Sequence, residues 1–354
     1  MILKDKQILV TGGTGSLGKV LVRRLLSGEL GTPRKVIVLS RDEAKQHEMR
    51  LEYLHRTVTT DEVIFHNFQQ VLEFRIGDVR DFHDVCSAVK DSDIVFNAAA
   101  LKQVPTCEYF PEQAVLTNCM GALNIVRAIR ENGYPVETVL GISTDKACKP
   151  VNVMGMTKAV QERIFISANV LTPSTRFVCV RYGNVLASRG SVIPLFHDQI
   201  RRGGPVTVTA PEMTRFLLSL SQAVDTVLEA LRHAKPGETY VPDVPAATLV
   251  NVAKALIGDR SVEIDYIGVR PGEKIHEIMV SEEECHHSAR RGEYYAILPM
   301  LPELRDESEQ VSGLSREFSS QDNVVSPEET AALLERHGLL VEQADASGGG
   351  ELLV

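Results

Sequence analysis

Much of what would mark a membrane, secreted, metal-binding or nucleic-acid-binding protein is missing from this sequence. No run of about 18 apolar residues is present, so no membrane-crossing helix is expected. Nothing resembles a signal peptide, since Lys4, Asp5 and Lys6 precede an apolar stretch that passes straight into a glycine loop, so a cytoplasmic protein is expected. No basic block offers phosphates a footprint, and the net charge of −9 argues against nucleic acid as a partner. The six cysteines, at 86, 107, 119, 148, 179 and 285, form no CxxC pair and no zinc spacing. Reduced thiols and no metal site are therefore expected. Residues 46–70 hold His47, His55 and His66 without metal-ligand regularity, and these are assigned nothing. What remains is 354 residues with 44% apolar and 24% charged content. That is the balance of a soluble globular protein, large enough for two domains or for one domain with a lobe.

The first half alternates short apolar runs with helical stretches. Residues 7–10 read as a strand, Thr11-Gly12-Gly13-Thr14-Gly15-Ser16-Leu17-Gly18 as a glycine-rich turn, and Lys19–Leu26 as a helix. Strand, turn and helix in that order make a glycine motif informative. The glycines permit a tight turn and close approach of a pyrophosphate, whose charge rests on the helix N-terminus. The spacing Gly12-x-x-Gly15-x-x-Gly18 is similar to that of the short-chain dehydrogenase/reductase variant of the dinucleotide fold. Further strands are expected at 35–39, 73–76, 93–96, 138–142 and 177–182. Four successive βα units predict an α/β fold with a parallel, doubly wound sheet.

The ends of these strands carry the candidate contacts. After the second strand an NAD enzyme would place an acidic residue for the ribose hydroxyls. Here Ser40 and Arg41 stand there with Lys45 one turn on, a set that suits a 2′-phosphate and favours NADP over NAD; Asp42 could instead reach the ribose. Asp78 follows the third strand as a cofactor contact. Ala98, Ala99 and Ala100 follow the fourth, where small residues let the loop lie against a cofactor or simply pack closely. Lys102 and Glu108 sit on the next loop, above the carboxyl ends of the strands. Asn118 falls in a helix that starts at Glu112; it is expected to be buried and to brace the loop around Thr144.

Residues 142–158 are the chemical centre. Thr144, Asp145 and Lys146 leave one strand end as neighbours, and Lys158 lies one turn after Met154 on the same helical face. A hydroxyl, a carboxylate and two ammonium groups placed together suit acid–base work, the alternative being a salt-bridged loop. The second half then adds Gly183–Pro194, polar and rich in backbone freedom, and three arginines, Arg189, Arg215 and Arg270, each beside Gly, Pro or Thr. Together they suggest a converging anion site that a nucleoside diphosphate would suit. Past residue 300 the character changes. Ser326-Pro327-Glu328-Glu329 caps one predicted helix, Thr330–His337, and 344–354 reads as disordered.

With these motifs on the page, the chain resembles the extended short-chain dehydrogenase/reductases. Within them it is similar to the nucleotide-sugar 4,6-dehydratases of bacterial capsule and polysaccharide synthesis that use UDP-N-acetylglucosamine. The carrying segments are TGGTGSLG (11–18), LSRDEAKQ (39–46), NAAALKQVPTCEYFP (97–111), STDKACKPVNVMGMTK (143–158), RYGNVLASRGSVIPLF (181–196), EMTRF (212–216) and RPGEK (270–274). Epimerases of UDP-glucose look similar too.

The resemblance implies a Rossmann domain (1–186), substrate-binding segments partly interleaved with it (187–300), a C-terminal extension (301–354), bound NADP and a homohexamer. It implies dinucleotide contacts from Thr11, Gly12, Thr14, Gly15, Ser16, Leu17, Gly18, Ser40, Arg41, Lys45, Asp78, Val79, Ala98, Ala99, Ala100, Lys102, Asn118, Lys158, Tyr182, Asn184 and Val185. UDP-sugar contacts would come from Lys102, Glu108, Asn184, Ser188, Arg189, Val192, Pro194, Thr207, Thr209, Met213, Arg215, Arg270 and Glu273. By the same resemblance Lys146 is the base at sugar C-5, Asp145 the acid at C-6, and Thr144 a hydrogen-bond partner of the C-4 oxygen. Lys146 would then need its pKa lowered, by burial or by a cation such as Lys158. Lys158 would orient the nicotinamide ribose. Most of the superfamily has Tyr where this chain has Met154, and a thioether cannot take a proton. Lys146, Lys158 or a water would replace it in an active enzyme. Two alternatives stand: a UDP-sugar 4-epimerase, which needs no C-5 base, and a catalytically silent NADP-binding regulator, which the missing Tyr would suit.

Overall fold

The computed structural model describes residues 1–54, 68–186, 191–305 and 313–346. Its centre is a nine-stranded sheet. Six strands come from the first half: β1 (Gln7–Thr11), β2 (Lys35–Ser40), β3 (Leu72–Ile76), β4 (Ile94–Asn97), β5 (Thr138–Ile142) and β6 (Arg176–Val180). They lie in the order β3-β2-β1-β4-β5-β6, and Thr239–Pro242 continues the sheet beyond β6. All seven of these run parallel. Tyr294–Ile297 and Ser288–Arg291 close that edge as antiparallel strands. This is the expected α/β, Rossmann-type doubly wound sheet.

Alternation along the buried strands explains why both faces are covered. Ile8 and Val10 of β1 pack with Leu21 and Leu25 of helix α1 (Ser16–Leu26), while Leu9 points into the opposite core. That second core holds Val85, Ile125 and Phe165, one from each of α3 (Phe82–Val89), α4 (Gly121–Asn132) and α5 (Val153–Leu171). With two apolar faces, the strands read as unbroken hydrophobic runs. Glu43–Leu54 forms α2, and Val104–Tyr109, which holds Glu108 and was expected as loop, is a short helix with Pro105 in its first turn. Local sequence sets the helix ends: the Asp81 carboxylate accepts from His83 N and Asp84 N, and the Asn152 side chain accepts from Gly155 N.

The helix expected from Glu112 differs in detail. It is a short α segment (Pro111–Ala114), a π-helical turn (Val115–Met120) and then α4. Within the π turn Asn118 is fully buried and hydrogen-bonds outward from its own helix, the kind of demand at which such bulges occur.

Residues after 191 build a smaller body and also feed the main sheet. The helix Val192–Arg201, the pair Val206–Val208/Ile264–Tyr266, the pair Thr214–Phe216/Ala246–Thr248 and the helix Leu249–Ile257 share a core of Ile193, Phe196, Met213, Val252 and Leu256. The C-terminal extension is less simple than expected. Pro327–Arg336 is helical, with Ser326 and Glu329 forming a capping box. A second helix, Val341–Ala346, follows and takes in the first three residues of the stretch expected to be disordered, 344–354; Leu339 and Val341, buried in that smaller core, anchor its start. Phe318–Ser319 pairs antiparallel with Ile278–Val280. The rest of the expected tail, 347–354, and His55 and His66 lie outside the described residues. No helix among the described residues is long and apolar enough to cross a membrane.

Candidate active site

The strand order reverses at β1, between β2 on one side and β4 on the other, and open α/β sheets bind ligands outside the carboxyl ends of strands at such a point. A cavity of about 1200 Å³ opens there. Its floor is the glycine loop. A Cβ at Gly12 would stand 2.7 Å from Ala99 N, and one at Gly18 would stand 2.5 Å from Gly12 O, so neither position can carry a side chain. Gly15 precedes α1 and supplies no side-chain cap, which leaves the first-turn N–H groups facing the cavity with Thr14, Ser16 and Leu17. This cradle fits a pyrophosphate. Thr11, expected as a contact, lies beneath the lining: its Oγ1 donates to Asn97 Oδ1 at 2.8 Å and accepts from Ala99 N at 3.2 Å, tying the ends of β1 and β4 together.

Ser40, Arg41, Lys45, Asp78, Val79, Ala98, Ala99, Ala100 and Lys102 line one end of the cavity. The Thr14 hydroxyl donates to Ser40 Oγ at 3.2 Å. Asp42 lines the cavity beside them; its carboxylate accepts from Lys45 N at 3.0 Å and pairs with Lys45 Nζ at 2.7 Å. Asp78 is held by Arg80, whose Nε donates at 2.8 Å, with Arg41 at 3.6 Å. Burial works against its charge, but Arg80 and Arg41 keep the carboxyl below its usual range.

The chemical centre sits where β5 ends. Asp145 N donates to Tyr182 O at 3.0 Å, which fixes the 144–147 turn against the end of β6. Asp145 is completely buried; Oδ1 accepts from the Thr144 hydroxyl at 2.7 Å and from Lys146 Nζ at 3.1 Å, while Oδ2 is buried without a partner among the described residues. Lys146 Nζ also reaches Asn184 Oδ1 at 3.2 Å and Glu277 Oε1 at 3.1 Å. Burial, reinforced by Glu277 and opposed by Lys146, pushes the Asp145 carboxyl above its usual range. Burial pulls Lys146 down, but Asp145 and Glu277 overcome it and leave the ammonium above the ordinary lysine value.

The expectation of a lowered Lys146 is thus corrected: the Asp145 and Glu277 carboxyl groups outweigh both burial and the Arg215 cation. The lowered lysine is Lys158. It is buried, its pKa falls to about 8 through desolvation, and its Nζ donates to Ile142 O and, at 2.7 Å, to Gln161 Oε1. Met154 lines the cavity and packs in a small apolar cluster with Cys107 and Ala114.

The opposite wall comes from the second half: Tyr182, Asn184, Val185, Val192, Pro194, Thr207, Thr209, Met213, Arg215, Arg270 and Glu273 all line the cavity. Glu273 Oε2 is buried without a partner among the described residues. Arg215 donates through Nη1 to Thr214 O and Ile275 O, and its Nε lies 3.8 Å from Glu277 Oε1. Arg215 and Arg270 share the cavity as expected; Ser188 and Arg189 lie outside the described residues.

Two candidates stand elsewhere. Glu108 is not in the lining; its Oε1 accepts from Val153 N at 2.7 Å, because the first turn of α5 leaves that donor unpaired. Asn118 braces a different loop from the one expected. Its amide donates to Leu101 O and to Thr157 Oγ1, both at 3.0 Å, and its carbonyl oxygen accepts from Leu101 N at 2.9 Å. It joins the 98–102 loop to α5 because those backbone groups, unlike Thr144, are left without partners by the strand's end.

Sequence reading missed Glu277, 2% exposed and wedged between Lys146 and Arg215. Its only signal was its place three residues after RPGEK. It also missed Gln161, and a buried cluster behind the site in which Arg181 binds both Glu162 (2.7 Å) and Glu284 (2.8 Å) while Ser143 donates to Glu162.

Residues 8–299 match the family model described as polysaccharide biosynthesis protein. A UDP-glucose 4-epimerase of Rickettsia conorii is 45% identical over 298 residues, 83% of each chain; that of Rickettsia typhi is 44% identical over 299. The X-ray structure of Pen from Bacillus thuringiensis superposes with a TM-score of 0.84 at 34% identity, covering 96% of this chain and all of that one. A dTDP-glucose 4,6-dehydratase of Streptomyces venezuelae shares the fold, with a TM-score of 0.63 at 21% identity over 76% of this chain and 86% of its own.

Proposed function

The chain belongs to the polysaccharide biosynthesis protein family, and on that footing we propose that it is a nucleotide-sugar 4,6-dehydratase acting on UDP-N-acetylglucosamine, with inversion at C-5. The observation that carries the reading is the pair of buried Asp145 and half-buried Lys146 facing the cavity at the end of β5. An epimerase has no use for an acid and a base beyond C-4. A dehydratase needs both.

NADP fits the cradle of Gly12, Gly15 and Gly18, with Ser40 and Arg41 at the 2′-phosphate and Lys45 beside them. When bound, it supplies the acceptor for hydride from sugar C-4 and returns it at C-6. Everything else falls to the chain's own residues. With Met154 in the lining, the proton of the C-4 hydroxyl goes to Lys158. Two hydrogens of its amine are spent on Ile142 O and Gln161 Oε1, and at a pKa of about 8 the third position is a lone pair in a useful fraction of molecules. The Thr144 hydroxyl holds the C-4 oxygen. A ketone at C-4 makes the C-5 proton removable, and Lys146 takes it. Asp145, whose carboxyl burial keeps protonated more readily than usual, gives its proton to the departing C-6 hydroxyl. Arg215 and Arg270 hold the diphosphate. Return of the C-5 proton from the opposite face gives the inverted product.

The second reading is a UDP-sugar 4-epimerase, favoured by the names of the relatives at 44–45% identity. Incubation with UDP-N-acetylglucosamine in deuterated water, followed by NMR and mass spectrometry, separates the two. Loss of water with deuterium at C-5 supports the dehydratase. UDP-N-acetylgalactosamine without deuterium means the epimerase. No turnover with NADP bound means a regulator.

A further inference from the structure

On the dehydratase reading, Lys146 has a problem. A base must be neutral, yet with Asp145 protonated as the C-6 acid the Glu277 carboxylate, 3.1 Å away, still favours the charged form of this amine. Its proton needs somewhere to go before C-5 can be deprotonated. Asp145 is a poor destination, since its proton is needed at C-6. Glu277 is the other neighbour. Its Oε1 lies 3.1 Å from Lys146 Nζ and 3.8 Å from Arg215 Nε, and its Oε2 is buried with no hydrogen-bond partner among the described residues. Its backbone is fixed, because Glu277 N donates to Ser320 Oγ at 2.9 Å and its carbonyl accepts from Ser320 N at 2.8 Å.

We propose that Glu277 is the positioning residue for Lys146: it fixes the ammonium beside the substrate and receives its proton as Lys146 becomes the C-5 base. One N–H bond of Lys146 breaks and an O–H bond forms on Glu277, so charge is conserved within the pair. The freed amine then takes the C-5 proton and gives it back on the opposite face, after which Glu277 returns its own proton to Lys146 and restores the starting pair. This inference deepens the dehydratase reading and rests on it.

The charged groups facing the pair come from every neighbouring segment. Asp145 belongs to the same turn, Arg215 to the strand Thr214–Phe216, and Lys274 to the loop before Glu277, while Asn184 beyond β6 is neutral. Glu277 carries a charge in this setting because Lys146, Arg215 and Lys274 outweigh its burial. As the diphosphate occupies Arg215, one of those cations is neutralised, which makes Glu277 a better proton acceptor at the moment substrate binds.

The test uses the full chain with Glu277→Gln, which keeps the shape and removes the charge, and Glu277→Asp, which keeps the charge. Competitive acetylation of Lys146 against pH, read by mass spectrometry of the free protein, is expected to show a midpoint lower by at least about one pH unit in Glu277→Gln. Uptake of deuterium at C-5 of UDP-N-acetylglucosamine is expected to fall at least about 100-fold in Glu277→Gln, with partial recovery in Glu277→Asp and UDP affinity kept within about threefold. An unshifted Lys146 midpoint overturns the pairing whatever the reaction. A shifted midpoint with undiminished C-5 exchange overturns the proton role. A shifted midpoint in a protein whose wild type puts no deuterium at C-5 overturns the dehydratase reading itself, and Glu277's part in it.

Discussion

Replacing Lys158 with Met should make the protein more resistant to denaturation at neutral pH while destroying its turnover. Lys158 has an ordinary value of 10.5 and falls to about 8 in the fold because burial penalises its charge. At 1.36 kcal/mol per pH unit, carrying that charge at pH 7 costs the folded state about 3 kcal/mol. The unfolded chain binds the proton more tightly, so the penalty is fully present below about pH 8 and fades as pH rises towards 10.5. Methionine matches the length of the stem and removes the charge. Its cost is the loss of two donors, but Ile142 O keeps the Gln161 Nε2–H bond at 3.0 Å, so only Gln161 Oε1 is orphaned. An unmet buried acceptor costs about 1–3 kcal/mol at any pH. Lys158→Met should therefore be as stable as the wild type at pH 7 or up to about 2 kcal/mol more stable. Urea denaturation of both proteins from pH 7 to 10.5 tests this, because the orphaned acceptor is constant and only the lysine term moves. The advantage of the variant should shrink by about 3 kcal/mol across that range. A difference between the two proteins that stays flat with pH would refute the lowered pKa, and with it the case for Lys158 as the base at C-4.

Arg181→Met leaves Glu162 and Glu284 buried around a missing cation; a loss of about 3–5 kcal/mol in urea unfolding is expected. Gly155→Ala would place a methyl group well inside contact with the carbonyl of Lys146. Overpacking costs about 1–3 kcal/mol and better helix propensity returns up to about 1, so a net loss of up to about 3 kcal/mol is expected in urea unfolding, because the group met is backbone and cannot swing away. Turnover should fall about 100-fold as the 144–147 turn shifts, with UDP affinity unchanged by calorimetry. Arg41→Glu should weaken NADP binding at least about tenfold and leave NAD within about threefold, measured by fluorescence titration.

The fold and one side of the site were legible because their signals are local. Apolar strands ending in Gly12–Gly18, in Ala98–Ala100 and in Thr144–Lys146 each declare a strand end within a few residues. The proton inventory was not legible. Lys146 looked like the lysine to be lowered, since the role of C-5 base requires a neutral amine; the structure instead sets Asp145 and Glu277 on it and buries Lys158 between backbone and Gln161. Glu277 is one of 47 acidic residues, and nothing distinguishes it until the chain folds back upon Lys146. Glu108 and Asn118 were right as polar residues with a task and wrong as to the task. Unpaired backbone groups at Val153 and Leu101 claimed them first.

The family match stops at residue 299, but the support for the reacting groups does not. Phe318–Ser319 forms a two-stranded pair with Ile278–Val280, Ser320 holds both backbone groups of Glu277, and Phe318 packs on Phe216, next to Arg215. A chimera that joined residues 1–299 to the C-terminal stretch of a relative would leave every cavity-lining side chain in place. It would still rewrite the brace behind the Lys146 partner. Stretches beyond the shared family region can therefore alter pH optimum and rate between relatives whose motifs are letter for letter the same.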